Sequence, residues 1–104
     1  MRREIVILMV LLSIFLAIGC AGKGKTVDVK IQNDSFNPNS ITISNGDTVR
    51  WTNLDAGVHT VVGTDFSSGN ISSGNSYGHK FTKAGTYNYH CAIDPSMQGV
   101  VMVK

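Results

Sequence analysis

From Thr26 onward the apolar residues of this chain recur at every second position, in short runs broken by turn residues. A period of two is that of a pleated strand, whose successive side chains point to opposite faces. Thr26-Val27-Asp28-Val29-Lys30-Ile31-Gln32-Asn33 sets Val27, Val29 and Ile31 on one face and polar residues on the other. Ile41-Thr42-Ile43 repeats the pattern after Asn37-Pro38-Asn39. Thr48 to Asn53 repeats it again after Asn45-Gly46-Asp47, a strong turn signal. Further strands are predicted at Val58 to Val62, Gly78 to Phe81, Thr86 to Cys91 and Val100 to Val103, with a polar loop or hairpin over Ser67 to Ser76. Seven or eight short strands with frequent turns, and no stretch of helical period, predict an all-β antiparallel sandwich or barrel. The 104 residues leave room for one such domain.

The first residues follow a different rule. Arg2 and Arg3 precede an apolar run from Ile5 to Ile18, broken only by Ser13, and small residues follow at Gly19, Cys20, Ala21 and Gly22. A basic start, a short apolar run and small residues form the pattern of an export signal. The run is short for a spanning helix, which needs about 20 apolar residues. Leu16-Ala17-Ile18-Gly19-Cys20 approximates a lipoprotein processing site, with Cys20 as the lipid-bearing residue and Ala17 as a departure from the preferred large aliphatic. Cleavage without a lipid and an uncleaved anchor are the alternatives. All three place the domain outside the cytoplasm, tethered in two of them to the outer face of the cytoplasmic membrane. The expected organisation is residues 1–19 as signal or anchor, 20–25 as a flexible tether, and 26–104 as the folded domain.

From Cys20 on, seven Lys and Arg stand against six Asp. So even a balance does not suggest nucleic acid, which would want a basic face. Two cysteines in an exported chain raise the possibility of a disulfide, but pairing Cys20 with Cys91 would draw the tether into the fold. Cys91 reads as a single thiol kept for its chemistry. A Cys91–His59 pair also suits a cysteine hydrolase, but such thiols lean on a helix terminus or a neighbouring base, and no helix is predicted; no enzyme is expected.

Cys91 offers a thiolate, Met97 a thioether, and His59 an imidazole from a loop far upstream. Copper is the metal that takes these three donors together, and a rigid mixed site lets it cycle between two oxidation states.

Val49-Arg50-Trp51-Thr52-Asn53-Leu54-Asp55 with Val58-His59-Thr60-Val61 resembles the first ligand region of the plastocyanin- and amicyanin-like cupredoxins. Phe81 and Gly85-Thr86-Tyr87-Asn88-Tyr89-His90-Cys91 resemble the strand that leads into their cysteine ligand, and Pro95, Met97, Gly99, Val100 and Val103 their closing pattern. The likeness runs from about Val27 to Lys104. It implies a Greek-key sandwich, one copper ion, and single-electron exchange with redox partner proteins docking near Ala92, Ile93 and Pro95, by a domain expected to be monomeric. It also implies that Thr60 hydrogen-bonds across to the Cys91 loop, where it would orient a ligand.

The family pattern Cys-x-x-His-x-x-Met is broken here. The chain reads Cys91-Ala92-Ile93-Asp94-Pro95-Ser96-Met97, with Asp94 where the second imidazole belongs. Asp94 as a carboxylate ligand beside His59, Cys91 and Met97 is the leading expectation, and a hard donor would favour Cu(II). An open position at copper and a metal-free domain are the other two. His90, next to Cys91 in a strand, points to the opposite face, and His79 lies far along the chain; neither is expected to ligate. Trp51 and Met102 read as packing residues. Copper storage, delivery or sensing, and a purely structural sandwich, remain the functional alternatives.

Overall fold

A computed structural model describes residues 24–104. The expected signal segment and Cys20 lie outside the described residues. Eight strands form: β1 (Thr26–Gln32), β2 (Ser35–Asn37), β3 (Ser40–Ile43), β4 (Thr48–Asn53), β5 (Val62–Gly63), β6 (Ser76–Lys80), β7 (Gly85–His90) and β8 (Gln98–Val103). They make two four-stranded sheets, in the orders β2-β1-β4-β6 and β3-β8-β7-β5. No helix occurs among the described residues.

The alternation in the sequence becomes the division between core and surface. Val29 and Ile31 of β1, Val49 and Trp51 of β4, and Val101 of β8 are fully buried between the layers. On the outer face of β1 and β4, Asp28 is in register with Arg50 and accepts its Nε–H at 2.8 Å. The Asn45-Gly46-Asp47 turn forms with Gly46 at φ 99°, a left-handed conformation that favours glycine. The buried Asp47 carboxylate accepts the backbone N–H groups of Lys25 and Ser44, both at 3.0 Å, and so ties the start of β1 to this turn.

The sandwich is mixed rather than wholly antiparallel. β1 runs parallel to β4, and β3 parallel to β8. Parallel neighbours need a crossover connection, and the chain supplies one by leaving the first sheet after β2, forming β3 in the second, and returning as β4. The short β2 leaves no readable signal in the sequence, because a three-residue strand carries too little pattern.

The strand expected over Val58 to Val62 shrinks to Val62–Gly63. The reason lies in three divergent hydrogen bonds. His59 N–H pairs with the Ile71 carbonyl at 3.2 Å, Thr60 N–H points at Cys91 Sγ at 3.4 Å, and Val61 N–H goes to Ser68 Oγ at 2.8 Å. No one neighbouring strand takes all three, so the segment is extended without forming a ladder.

Trp51 centres the core. Its ring stacks with Tyr77 at 5.8 Å and Phe66 at 5.9 Å, and meets Tyr89 edge-on at 5.2 Å. Tyr89 lies directly over Gly99, where any Cβ would overlap the tyrosine ring. That close approach sets β7 against β8, and so places Cys91, just past β7, beside Met97, just before β8.

Candidate metal centre

The site grows from the end of β4. Asn53 is fully buried, and a buried amide must find partners for its donors and acceptor. Its Nδ2 donates to the carbonyls of Gly57 and Ile71, each at 2.8 Å, and its Oδ1 accepts Asp55 N–H at 2.9 Å. One side chain therefore folds the 54–58 loop back on itself and pins it to the Ile71 segment. His59 follows immediately, bonded to Ile71 through both its backbone N–H and its carbonyl.

His59 is buried, and its two ring nitrogens face different groups. Nε2 lies 2.9 Å from Asp55 Oδ2, and Nδ1 lies 3.8 Å from Cys91 Sγ. A carboxylate only accepts, so Nε2 carries a proton, and Nδ1 is the nitrogen turned to the cysteine. Asp55 is itself fixed by the Asn33-Asp34 turn, which donates both backbone N–H groups to it, at 2.8 and 3.0 Å. Both turn residues have positive φ, 56° and 54°. Those two amides hold the Asp55 carboxyl below the usual carboxylate range against the opposing effect of burial, with His59 adding to the shift. Asp34 Oδ1 is 3.5 Å from the same His59 nitrogen, but its side chain is largely exposed.

Cys91 is fully buried and free. Its thiol falls from an ordinary 9.0 to about 7: burial opposes ionisation, but Thr60 N–H, His59 and the amides of Asp94 and Ile93 outweigh it. For His59, burial favours the neutral ring, while Cys91 and Asp55 together raise its pKa. Thr60 Oγ1 accepts Ala92 N–H at 2.8 Å and lies 3.8 Å from Cys91 Sγ, bridging the two loops.

Met97 is buried in the same core cluster as Cys91. Its carbonyl accepts Cys91 N–H at 3.1 Å, and its own N–H donates to the Asp94 carbonyl at 2.9 Å. The 91–97 loop is thus a compact turn closed across its base.

His59, Cys91 and Thr60 are brought together; Asp94 is not brought to them. Its Oδ1 accepts Ser96 Oγ–H at 2.7 Å and Ser96 N–H at 3.3 Å, the local turn chemistry that aspartate favours. Among the described residues, the one set of His, Cys and acidic donor atoms gathered within 4.8 Å of one another is Asp34, Asp55 and His59. No third such atom therefore joins the His59–Cys91 pair. His90 is exposed on the far face of β7, in register with Val62 and Gln98. His79 stacks on Phe66 with ring centres 4.7 Å apart. Asn53 and Asp55 were read in the sequence only as part of a motif; the four-residue spacing of Asp55 and His59 is the signal that marks a carboxylate partner for the ring.

An imidazole nitrogen turned to the cysteine, a thiol biased toward thiolate, and a buried thioether just before the next strand form a soft donor set that fits copper.

Comparison with known proteins points the same way. The description "Cupredoxin-like domain" matches residues 4–103. Amicyanin-alpha of Methylorubrum extorquens is 35% identical over 86 residues, spanning 76% of this chain and 72% of the relative. Plastocyanin of Scenedesmus fuscus is 35% identical over 100 residues, spanning 75% of this chain and 99% of the relative. Among solved structures, an oxidised amicyanin variant superposes with a TM-score of 0.73 at 30% identity, covering 76% of this chain and 82% of that one. A copper-containing nitrite reductase from Thermus scotoductus superposes with a TM-score of 0.72 at 32% identity, covering 76% of this chain and 22% of that enzyme.

Proposed function

The chain belongs to the cupredoxin family, and from that premise we propose that it holds one copper ion and passes single electrons between redox partner proteins. In this reading His59 Nδ1 and Cys91 Sγ would be the strong donors, and the Met97 thioether would supply a weaker one. The observation that carries it is the 3.8 Å approach of His59 Nδ1 to Cys91 Sγ, with Asp55 holding the proton on the opposite ring nitrogen.

When bound, copper supplies the one-electron couple. The protein's part is to keep the donors still. Asn53 fixes the histidine loop, Thr60 ties it to the cysteine loop, and the backbone bond from Cys91 to Met97 closes the second donor segment. Donors held this way move little between oxidation states. Nothing in this reading requires a bound substrate, so the protein is proposed as a carrier and not as an enzyme. Exposed Ile93, Leu54 and Val58 give the loop end an apolar rim on which a redox partner could dock. Export and tethering outside the cytoplasm belong to the same proposal and rest on the Arg2 to Cys20 pattern.

A copper storage, delivery or sensing role is the second reading, favoured by the absence, among the described residues, of a further His, Cys or acidic donor gathered at His59 and Cys91. Copper titration followed by voltammetry separates the possibilities. Uptake of one equivalent with a reversible couple is expected; release of the ion on reduction would favour delivery, and no stoichiometric uptake would refute both.

A further inference from the structure

The two loops leave the copper centre one strong donor short. His59 Nδ1 and Cys91 Sγ face each other at 3.8 Å, and no third histidine, cysteine or acidic donor among the described residues lies within 4.8 Å of both. The residue placed to supply it, Asp94, is occupied in building the loop. Its carboxylate takes two hydrogen bonds from Ser96 and its carbonyl takes one from Met97. The surrounding rim is open: Ala92, Pro95 and Ser96 are exposed, and Ile93 is 57% exposed.

Cu(I) is content with thiolate, imidazole and thioether, whereas Cu(II) favours a further harder donor. We propose that the vacant position is an external-ligand site for a neutral nitrogen donor of the imidazole type, brought by a small molecule or by a histidine on a docking protein. This rests on the copper reading above.

The neighbourhood selects against anions. Asp55 and Asp34 lie behind the His59 ring, and the 91–97 loop carries the further carboxylate of Asp94. The thiolate already cancels one charge of the metal. A second anion would be poorly stabilised there, while a planar neutral ring can rest on Ile93 and Pro95. Binding donates one lone pair, and no electron or proton moves. It does change the couple, since a donor that prefers Cu(II) tenfold lowers the potential by about 59 mV.

The test titrates the copper-loaded protein with imidazole, following visible absorption and paramagnetic resonance of the Cu(II) form. A saturable one-to-one change is expected, with azide much weaker and the midpoint potential falling as imidazole binds. Asp94→His should show the imidazole-saturated spectrum of the parent without added ligand, and no further response. A histidine within a short capped peptide forms a second arm. A response to both probes supports a site that a protein can fill, and a response to free imidazole alone supports a small-molecule site. A fully loaded protein insensitive to imidazole overturns the inference while leaving the copper reading intact. So does an Asp94→Asn variant whose spectrum departs from the parent as far as that of Asp94→His, since the carboxylate would then be the donor. Failure to take up copper sinks both.

Discussion

Asn53 is the residue on which the histidine side of the centre depends most directly, and its removal has a size that can be worked out. The side chain is fully buried and makes three hydrogen bonds, to Gly57 O, Ile71 O and Asp55 N–H. In Asn53→Ala the groups left behind fare differently. Ile71 O keeps the N–H of His59, at 3.2 Å, and is not orphaned. Gly57 O and Asp55 N–H lie in a partly exposed loop and can turn to water. The cost is therefore near the net worth of three ordinary hydrogen bonds, each about 1 kcal/mol, or about 3 kcal/mol with little added for orphaned groups. For a domain of this size that corresponds to a fall in Tm on the order of 15 °C. Asn53→Leu serves as the control for volume, since it fills the space and removes the same three bonds. Urea unfolding of both metal-free variants should show similar losses. Copper affinity should fall as well, because the loop that presents His59 is no longer pinned to Ile71. If Asn53→Leu were as stable as the parent within about 1 kcal/mol, or if both variants bound copper unchanged, the assignment of Asn53 as the organiser of this loop would be wrong.

Three further outcomes are expected. Asp55→Ala removes the acceptor that fixes the His59 ring, and loss of such a partner typically weakens metal binding by about 10- to 100-fold; competition with a chelator would show it, and a change under twofold would count against the clamp. Gly99→Ala forces a methyl into the Tyr89 ring, which Phe36 and Trp51 hold at 4.7 and 5.2 Å. Overpacking of this kind costs about 1–3 kcal/mol, and the loss should be subadditive with Tyr89→Ala in a double-mutant cycle. In the metal-free protein, ultraviolet thiolate absorbance should place Cys91 ionisation near pH 7, not near its ordinary 9.0. A lowered pKa in the folded state means that the stability from this thiolate is fully present above the unfolded value of about 9 and is lost as pH falls through about 7. Titration near 9 would show that Thr60 and His59 do not bias the thiol.

The strands with clear alternation were readable because one face of each is buried: Val29 and Ile31, or Val49 and Trp51, have no other way to leave water. What alternation does not carry is strand direction. Val27 and Val49 sit side by side in parallel register, yet nothing local to either run distinguishes that pairing from an antiparallel one. The direction follows from the path through β3 in the other sheet, a property of the whole chain. The Val58 to Val62 segment fails for the opposite reason. Its pattern is strand-like, but its amides are claimed by Ile71, by a thiol and by a serine hydroxyl. Side-chain acceptors that arrive from distant positions leave no trace in a local period.

The site divides along the same line. His59, Cys91 and Met97 stood out by residue type, because soft donors near a strand end have few other uses. Asp94 was visible only as a departure from a pattern, and its residue type alone favoured a ligand. The geometry turns on Ser96, two residues on, whose hydroxyl and amide both reach the Asp94 carboxylate. Aspartate followed by proline and serine is a sequence that makes a turn by itself. The same three residues therefore read as a structural unit, with the Asp94 carboxylate turned to Ser96 and not gathered with His59 and Cys91. A carboxylate that holds its own loop together does not need the metal to be satisfied. In the copper reading proposed above, the chemistry of the centre then turns on what enters the space that Asp94 leaves.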